Sequence, residues 1–149
     1  LVLKANEAII EWVRIGTPFK DLQANCIRIL TQGLVDLGLL EGDVETLIKE
    51  KAHHPFYMHG VSHYLGLDVH DVGLYSQSGA SRPLAQGMVL TVEPGLYIAP
   101  DNEDVPAEYR GIGVRIEDDI LVGADGPINL TAAIPKSVEA VEAACGAFN

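Results

Sequence analysis

The chain has 149 residues, of which 48% are hydrophobic, and a formal net charge of −11 at pH 7. That composition supplies one sizeable core and excludes a disordered chain. So acidic a surface repels phosphate backbones, which excludes nucleic acid as a partner. No apolar run is long enough to span a bilayer and no basic-then-apolar leader is visible, so no membrane partner is expected. The two cysteines, Cys26 and Cys145, stand far apart and outside any CxxC spacing. They predict a cytoplasmic protein with reduced thiols that serve as packing residues.

Leu3, Ile9, Ile10 and Val13 fit one helical face and predict a helix over 1–13. Gly16 and Pro18 interrupt it, with Thr17 placed to cap the next. Leu22, Cys26, Ile29, Leu30, Leu34 and Leu37 recur at helical spacing, and Gly38 ends that second helix. Asp43 is placed to cap a short third helix through Val44, Leu47 and Ile48. After Pro55 the apolar residues fall in short runs separated by Gly and Pro, the pattern of strands and turns. Two strands are expected at 88–92 and 96–99, either side of "EPG". A third region spans 111–123, where Val114 and Ile116 alternate with Arg115 and Glu117 and the strand resumes at 120–122 past an acidic break. Between them, "DNEDVPAEYR" reads as a solvated acidic loop. Ser137 opens a last helix through Val138, Val141 and Ala144. Helices first, strands next and one helix last predict an α+β fold with a largely antiparallel sheet, all in a single domain over 1–149.

All five histidines lie between positions 53 and 70. His59 and His63 are four apart, but a helical HExxH zinc site needs Glu where Gly60 stands, and Gly60 and Gly66 disfavour a helix. The glycines suit a bent backbone that aims side chains into a site. A lone histidine is more often a packed or exposed residue than a ligand. Here two glutamates alter the balance. Glu93 sits in "LTVEPGL" between two apolar strands, and Glu117 at an alternation position in "GVRIEDD". Burying a carboxylate in an apolar strand is costly unless it is paired or holds a cation. Together with the histidines they point to a metal site, and mixed imidazole and carboxylate donors suit Mn, Co, Zn or Fe.

"FYMHGVSHYLGLDVHDVG", "GMVLTVEPGLYIAPD" and "YRGIGVRIEDDILV" closely resemble the C-terminal catalytic part of the aminopeptidase P (Xaa-Pro aminopeptidase) family, one of the pita-bread metallopeptidases. The resemblance implies the C-terminal half of a pseudo-symmetric α+β pita-bread fold, an antiparallel sheet flanked by helices. It implies a centre of two divalent metal ions, Mn in this family, with His63 and Glu93 as ligands and Glu117 as the carboxylate bridging both ions. Glu93 is implied also as the proton shuttle, His59 and His70 as histidines that contact substrate and steady the tetrahedral intermediate, and Arg115 as a site-supporting arginine. The implied reaction removes the first residue from peptides with proline second.

The family pattern also includes two aspartate ligands upstream on a strand pair. Asp21, Asp36 and Asp43 sit in helix or cap contexts and do not match them. With Leu1 opening an amphipathic run already under way, the chain is expected to be a C-terminal portion of a catalytic domain. Alone it should hold at most one metal, weakly, with little or no peptidase activity. An uncovered sheet edge and apolar face should make it self-associate as a homo-oligomer. Two other readings are an Xaa-Pro dipeptidase (prolidase) and a non-catalytic pita-bread domain that binds peptides. Retention of His59, His63, His70, Glu93 and Glu117 argues against the second.

Overall fold

The computed structural model describes residues 1–146. Helix α1 (Val2–Ile10) lays Val2, Ala5, Asn6 and Ile9 against the core. It stops three residues earlier than the apolar pattern predicts, because the following amides of Trp12 and Val13 bond to the carbonyls of Ile9 and Ile10. This tightened turn places Val13 in the core outside any helix. Helix α2 (Phe19–Asp36) follows. Thr17 does not cap it. Its carbonyl instead accepts from the Leu84 amide, and Pro18 occupies the cap position without a side-chain bond. The far end meets expectation: Gly38 adopts φ +70°, and the amides of Gly38 and Leu39 close back on Val35 and Leu34. Asp43 caps α3 (Val44–Lys49) by accepting from the Thr46 amide.

Every strand pairing is antiparallel. A small hairpin joins β1 (Ser76–Gln77) to β2 (Ala80–Ser81). β3 (Val89–Val92) pairs with β6 (Asp118–Val122), which pairs with β7 (Pro127–Asn129). β4 (Gly95–Tyr97) pairs separately with β5 (Gly113–Arg115). The expected third strand region is thus two strands in two sheets. The chain changes sheet at Ile116 and Glu117, so Glu117 lies in the break rather than within a strand. The acidic pair Asp118 and Asp119, expected as the break, belongs to β6.

α1 and α2 cover one face of the three-stranded sheet. Ala5, Ile9, Leu22, Cys26 and Leu30 meet Leu90, Val92, Ile120 and Val122 there. A second cluster gathers Leu34, Leu39, Phe56, Ile98 and Val105. Val105 shows that the acidic loop is anchored, and the loop contains a 3-10 turn (Ala107–Tyr109). Ser137 accepts from the Ala140 amide at the start of α4 (Val138–Gly146), as expected. Both cysteines are free: Cys26 packs in the core, whereas Cys145 is exposed and so is not the packing residue expected.

Candidate metal centre

The histidine stretch is neither helix nor named strand, yet residues 61–65 run antiparallel along the free edge of β3. The amides of Glu93, Thr91 and Leu65 donate to the carbonyls of Val61, His63 and Val89, and Tyr64 bridges to Leu90. This segment, β3 and β6 therefore lie side by side. β3 pairs with β6 up to Val92 opposite Asp118, and one step further places Glu93 opposite Glu117. His63, Glu93 and Glu117 each offer a donor atom, and these atoms lie within 4.8 Å of one another. Three neighbouring segments thus contribute one candidate ligand each.

The donor set fits a divalent cation. His63 Nδ1 lies 3.0 Å from the Tyr64 carbonyl, which can only accept, so Nδ1 carries the proton. Nε2 faces Glu93 Oε1, 3.2 Å away, on the side where a cation would sit. An imidazole with one nitrogen tied to a carbonyl and the other free is the ligand form of histidine. Two carboxylates facing each other across a strand pair repel. Glu117 reflects this: its carboxyl is held above the usual range, first by lost hydration and then by the Glu93 charge. A cation among the three atoms would relieve that repulsion.

Glu93 is almost fully buried, which excludes a surface position on an edge strand. Thr91, also buried, accepts from the His63 amide and donates to Glu93 Oε1. Arg115 Nη1 lies 3.6 Å from Glu93 Oε2. His59, His63, His70, Glu93 and Arg115 line one cleft of about 340 Å³. The rings of His63 and His70 meet edge to face at 4.4 Å.

Tyr97 connects the remaining groups. Arg115 Nε donates to its hydroxyl at 2.6 Å, and the hydroxyl lies 2.9 Å from His59 Nε2. His59 Nδ1 lies 2.8 Å from the Gly60 carbonyl, so Nδ1 is the donor and Nε2 accepts from Tyr97. The relay runs one way, from Arg115 through Tyr97 to His59 and Gly60. The Tyr97 bond, foremost, raises the Arg115 pKa above its usual value. Gly95 makes this possible, since a β-carbon there would collide with the Tyr97 hydroxyl.

Residues 1–124 match the family model for metallopeptidase family M24. The chain belongs to metallopeptidase family M24. It is 56% identical to the Xaa-Pro aminopeptidase of Escherichia coli K12 over 143 residues, covering 96% of this chain and 32% of that relative. It is 40% identical over 144 residues to Xaa-Pro aminopeptidase 3 of Mus musculus, covering 97% of this chain and 28% of that relative. Among solved structures, Pseudomonas aeruginosa aminopeptidase PepP matches with a TM-score of 0.95 and 50% identity, over 98% of this chain and 33% of that one. Zn-substituted Escherichia coli aminopeptidase P in complex with product matches with a TM-score of 0.92 and 55% identity, over 99% of this chain and 33% of that one. This M24 chain thus spans about a third of the length of the curated relatives it matches. The resemblance read from its motifs and the α+β pita-bread architecture both hold.

The residues singled out in the sequence, His59, His63, His70, Glu93, Arg115 and Glu117, come together in the fold of this M24 chain, whereas the contacts from Thr91, Tyr97, Asn6 and Gln23 were not anticipated. Signals existed. Thr91 is the one polar residue in "VLTV" and shares its strand face with Glu93. Asn6 lies among the buried positions of α1, and Gln23 is half-buried next to the buried Leu22 on α2.

Proposed function

We propose that this chain is the C-terminal portion of the catalytic domain of a metal-dependent Xaa-Pro aminopeptidase, which releases the first residue from peptides with proline second. One observation carries the reading: His63, Glu93 and Glu117, far apart in sequence, converge to within 4.8 Å. Their donors suit a divalent ion, and we assign manganese as the resident metal. Three ligands among the described residues hold one ion weakly, and the second ion depends on ligands from outside this set. A bound divalent ion would polarise a carbonyl oxygen and lower the pKa of a water.

The protein groups have distinct tasks. Glu93 has one oxygen held by Thr91 and the other facing Arg115, so its carboxylate is oriented to take a proton and return it to the leaving amine. Arg115 balances charge at Glu93. His70, packed on the ligand His63, is placed to donate to the oxygen where negative charge develops. An Xaa-Pro bond has no amide hydrogen to donate, so recognition does not need an acceptor for that hydrogen, and His59, which lines the cleft, supplies a ring face for substrate. Two free cysteines support a cytoplasmic setting, and among the described residues no helix is long and apolar enough to cross a membrane. Exposed Val114, Ile134, Val138 and Val141 support self-association.

Calorimetric titration with Mn²⁺ and with Zn²⁺ tests the site. Weak binding near one equivalent is expected, with loss of binding in His63→Ala and in Glu117→Gln. No binding of either metal would remove the basis of the reading. With Mn²⁺ present, the chain alone is expected to cleave an Xaa-Pro-Xaa peptide slowly or not at all, and rapid cleavage would overturn the three-ligand assignment.

A further inference from the structure

We infer that Gln23, on α2, is a positioning residue whose carboxamide fixes the backbone of residues 57–61 and thereby sets where His59 and His63 stand. The inference rests on the metal-site reading above. Gln23 Oε1 accepts from the Val61 amide at 2.6 Å and from the Tyr57 hydroxyl at 3.2 Å. Its Nε2 donates to the His59 carbonyl at 3.2 Å. One side chain thus holds three points of a five-residue stretch.

That stretch needs such a partner. It forms no helix, and its α2-facing amides have no neighbouring strand. Val61 is almost fully buried, so without Gln23 its N–H would lose the one partner it has among the described residues. The other side of the same residue is also fixed, because the Val61 carbonyl accepts from the Glu93 amide at 2.8 Å. Val61 is therefore clamped between α2 and a candidate ligand. Two residues on, His63 is fixed by Thr91 through both its amide and its carbonyl. His59 gains from the same clamp: Gln23 holds its carbonyl, while its ring is held by Tyr97. The helical layer, which contributes no ligand, sets the geometry of the ligand-bearing loop.

A packing role and a positioning role predict opposite results. Gln23→Met keeps length and loses the acceptor. Gln23→Glu keeps an acceptor for the Val61 N–H and Tyr57 O–H but cannot donate to the His59 carbonyl, so it isolates the Val61 bond. In the 149-residue chain, Gln23→Met should speed hydrogen exchange at Val61 by about tenfold or more, the equivalent of one buried hydrogen bond. Leu65, bonded to Val89, should stay protected. Gln23→Glu should restore Val61 protection. With Co²⁺ alone as probe, the visible absorption and affinity should change in Gln23→Met. Wild-type exchange at Val61 and an unchanged Co²⁺ spectrum in Gln23→Met would overturn the inference. Should that variant not fold, the wild type decides through scalar coupling across the hydrogen bond between the Val61 amide nitrogen and Gln23 Cδ: its presence supports the clamp, its absence overturns it. If the wild type binds no Co²⁺, the metal reading fails, and the exchange and coupling still decide the role of Gln23.

Discussion

The Tyr97 hydroxyl stands 2.9 Å from His59 Nε2, joining a strand residue to the loop that carries the histidines. Because Arg115 already donates to that oxygen, the hydroxyl proton is committed to His59. Tyr97→Phe keeps the ring and removes the relay. Nitrogen-15 spectra of the histidine rings should show His59 as the Nδ1–H tautomer, held by the Gly60 carbonyl, with the Nε2 resonance shifted in the variant that has lost its donor. Stability should fall by about 0.5–1.5 kcal/mol, the usual net worth of one hydrogen bond. An unchanged His59 spectrum would show that Tyr97 does not donate to Nε2.

Asn6 performs a related task from α1. It is fully buried, and its Nδ2 donates to the Val92 carbonyl at 3.0 Å, directly before Glu93. Asn6→Ala removes that bond while Val92 stays paired with β6, and should cost about 0.5–1.5 kcal/mol in urea unfolding. A loss below a few tenths of a kcal/mol would mean the carbonyl finds another partner.

Acid should weaken the fold in two separate windows. His53 is buried with Nδ1 unpartnered, and burial first, then the His54 and Lys51 charges, lowers its pKa from 6.5. The unfolded chain therefore takes up this proton before the folded chain does, so stability is lost as pH falls below 6.5. For Asp118, burial pushes the pKa up, but bonds from Lys136 and Thr131 outweigh it and the net direction is down from 3.8. Its contribution is present above 3.8 and disappears as pH falls through the lower folded value. His53→Leu should flatten the urea midpoint in the first window only. A wild-type midpoint that is level through that window would contradict the burial of a neutral imidazole.

The two thiols should differ sharply. Burial pushes Cys26 up to about 12, whereas Cys145 is exposed. A thiol reagent such as DTNB should label Cys145 alone in the native protein and both residues in guanidinium. Rapid native labelling of Cys26 would mean that the face between α2 and Tyr57 opens readily.

What the sequence disclosed follows from which forces are local. The helical face of α2, its Gly38 terminus and the Asp43 cap are decided within a few residues, and each appears where expected. The site residues stood out because carboxylates beside apolar strands need a compensating partner. The misplacements share another cause. Alternation runs on through Ile116 and Glu117, but cross-strand partners divide that run between two sheets, and partner choice is not written in one strand's pattern. Thr17 looks like a cap until Leu84 claims its backbone. Gln23 and Asn6 look like ordinary polar residues of amphipathic helices until the loop and strand they hold come into place.

Because the three donor atoms ride on segments that only cross-strand pairing brings abreast, no stretch of the unfolded polypeptide can present two of them at coordinating distance. Closing the intervening loops costs chain entropy before any ion can contribute. Coordination should therefore trail sheet assembly during refolding, so that metal capture reports on completed tertiary structure rather than nucleating it.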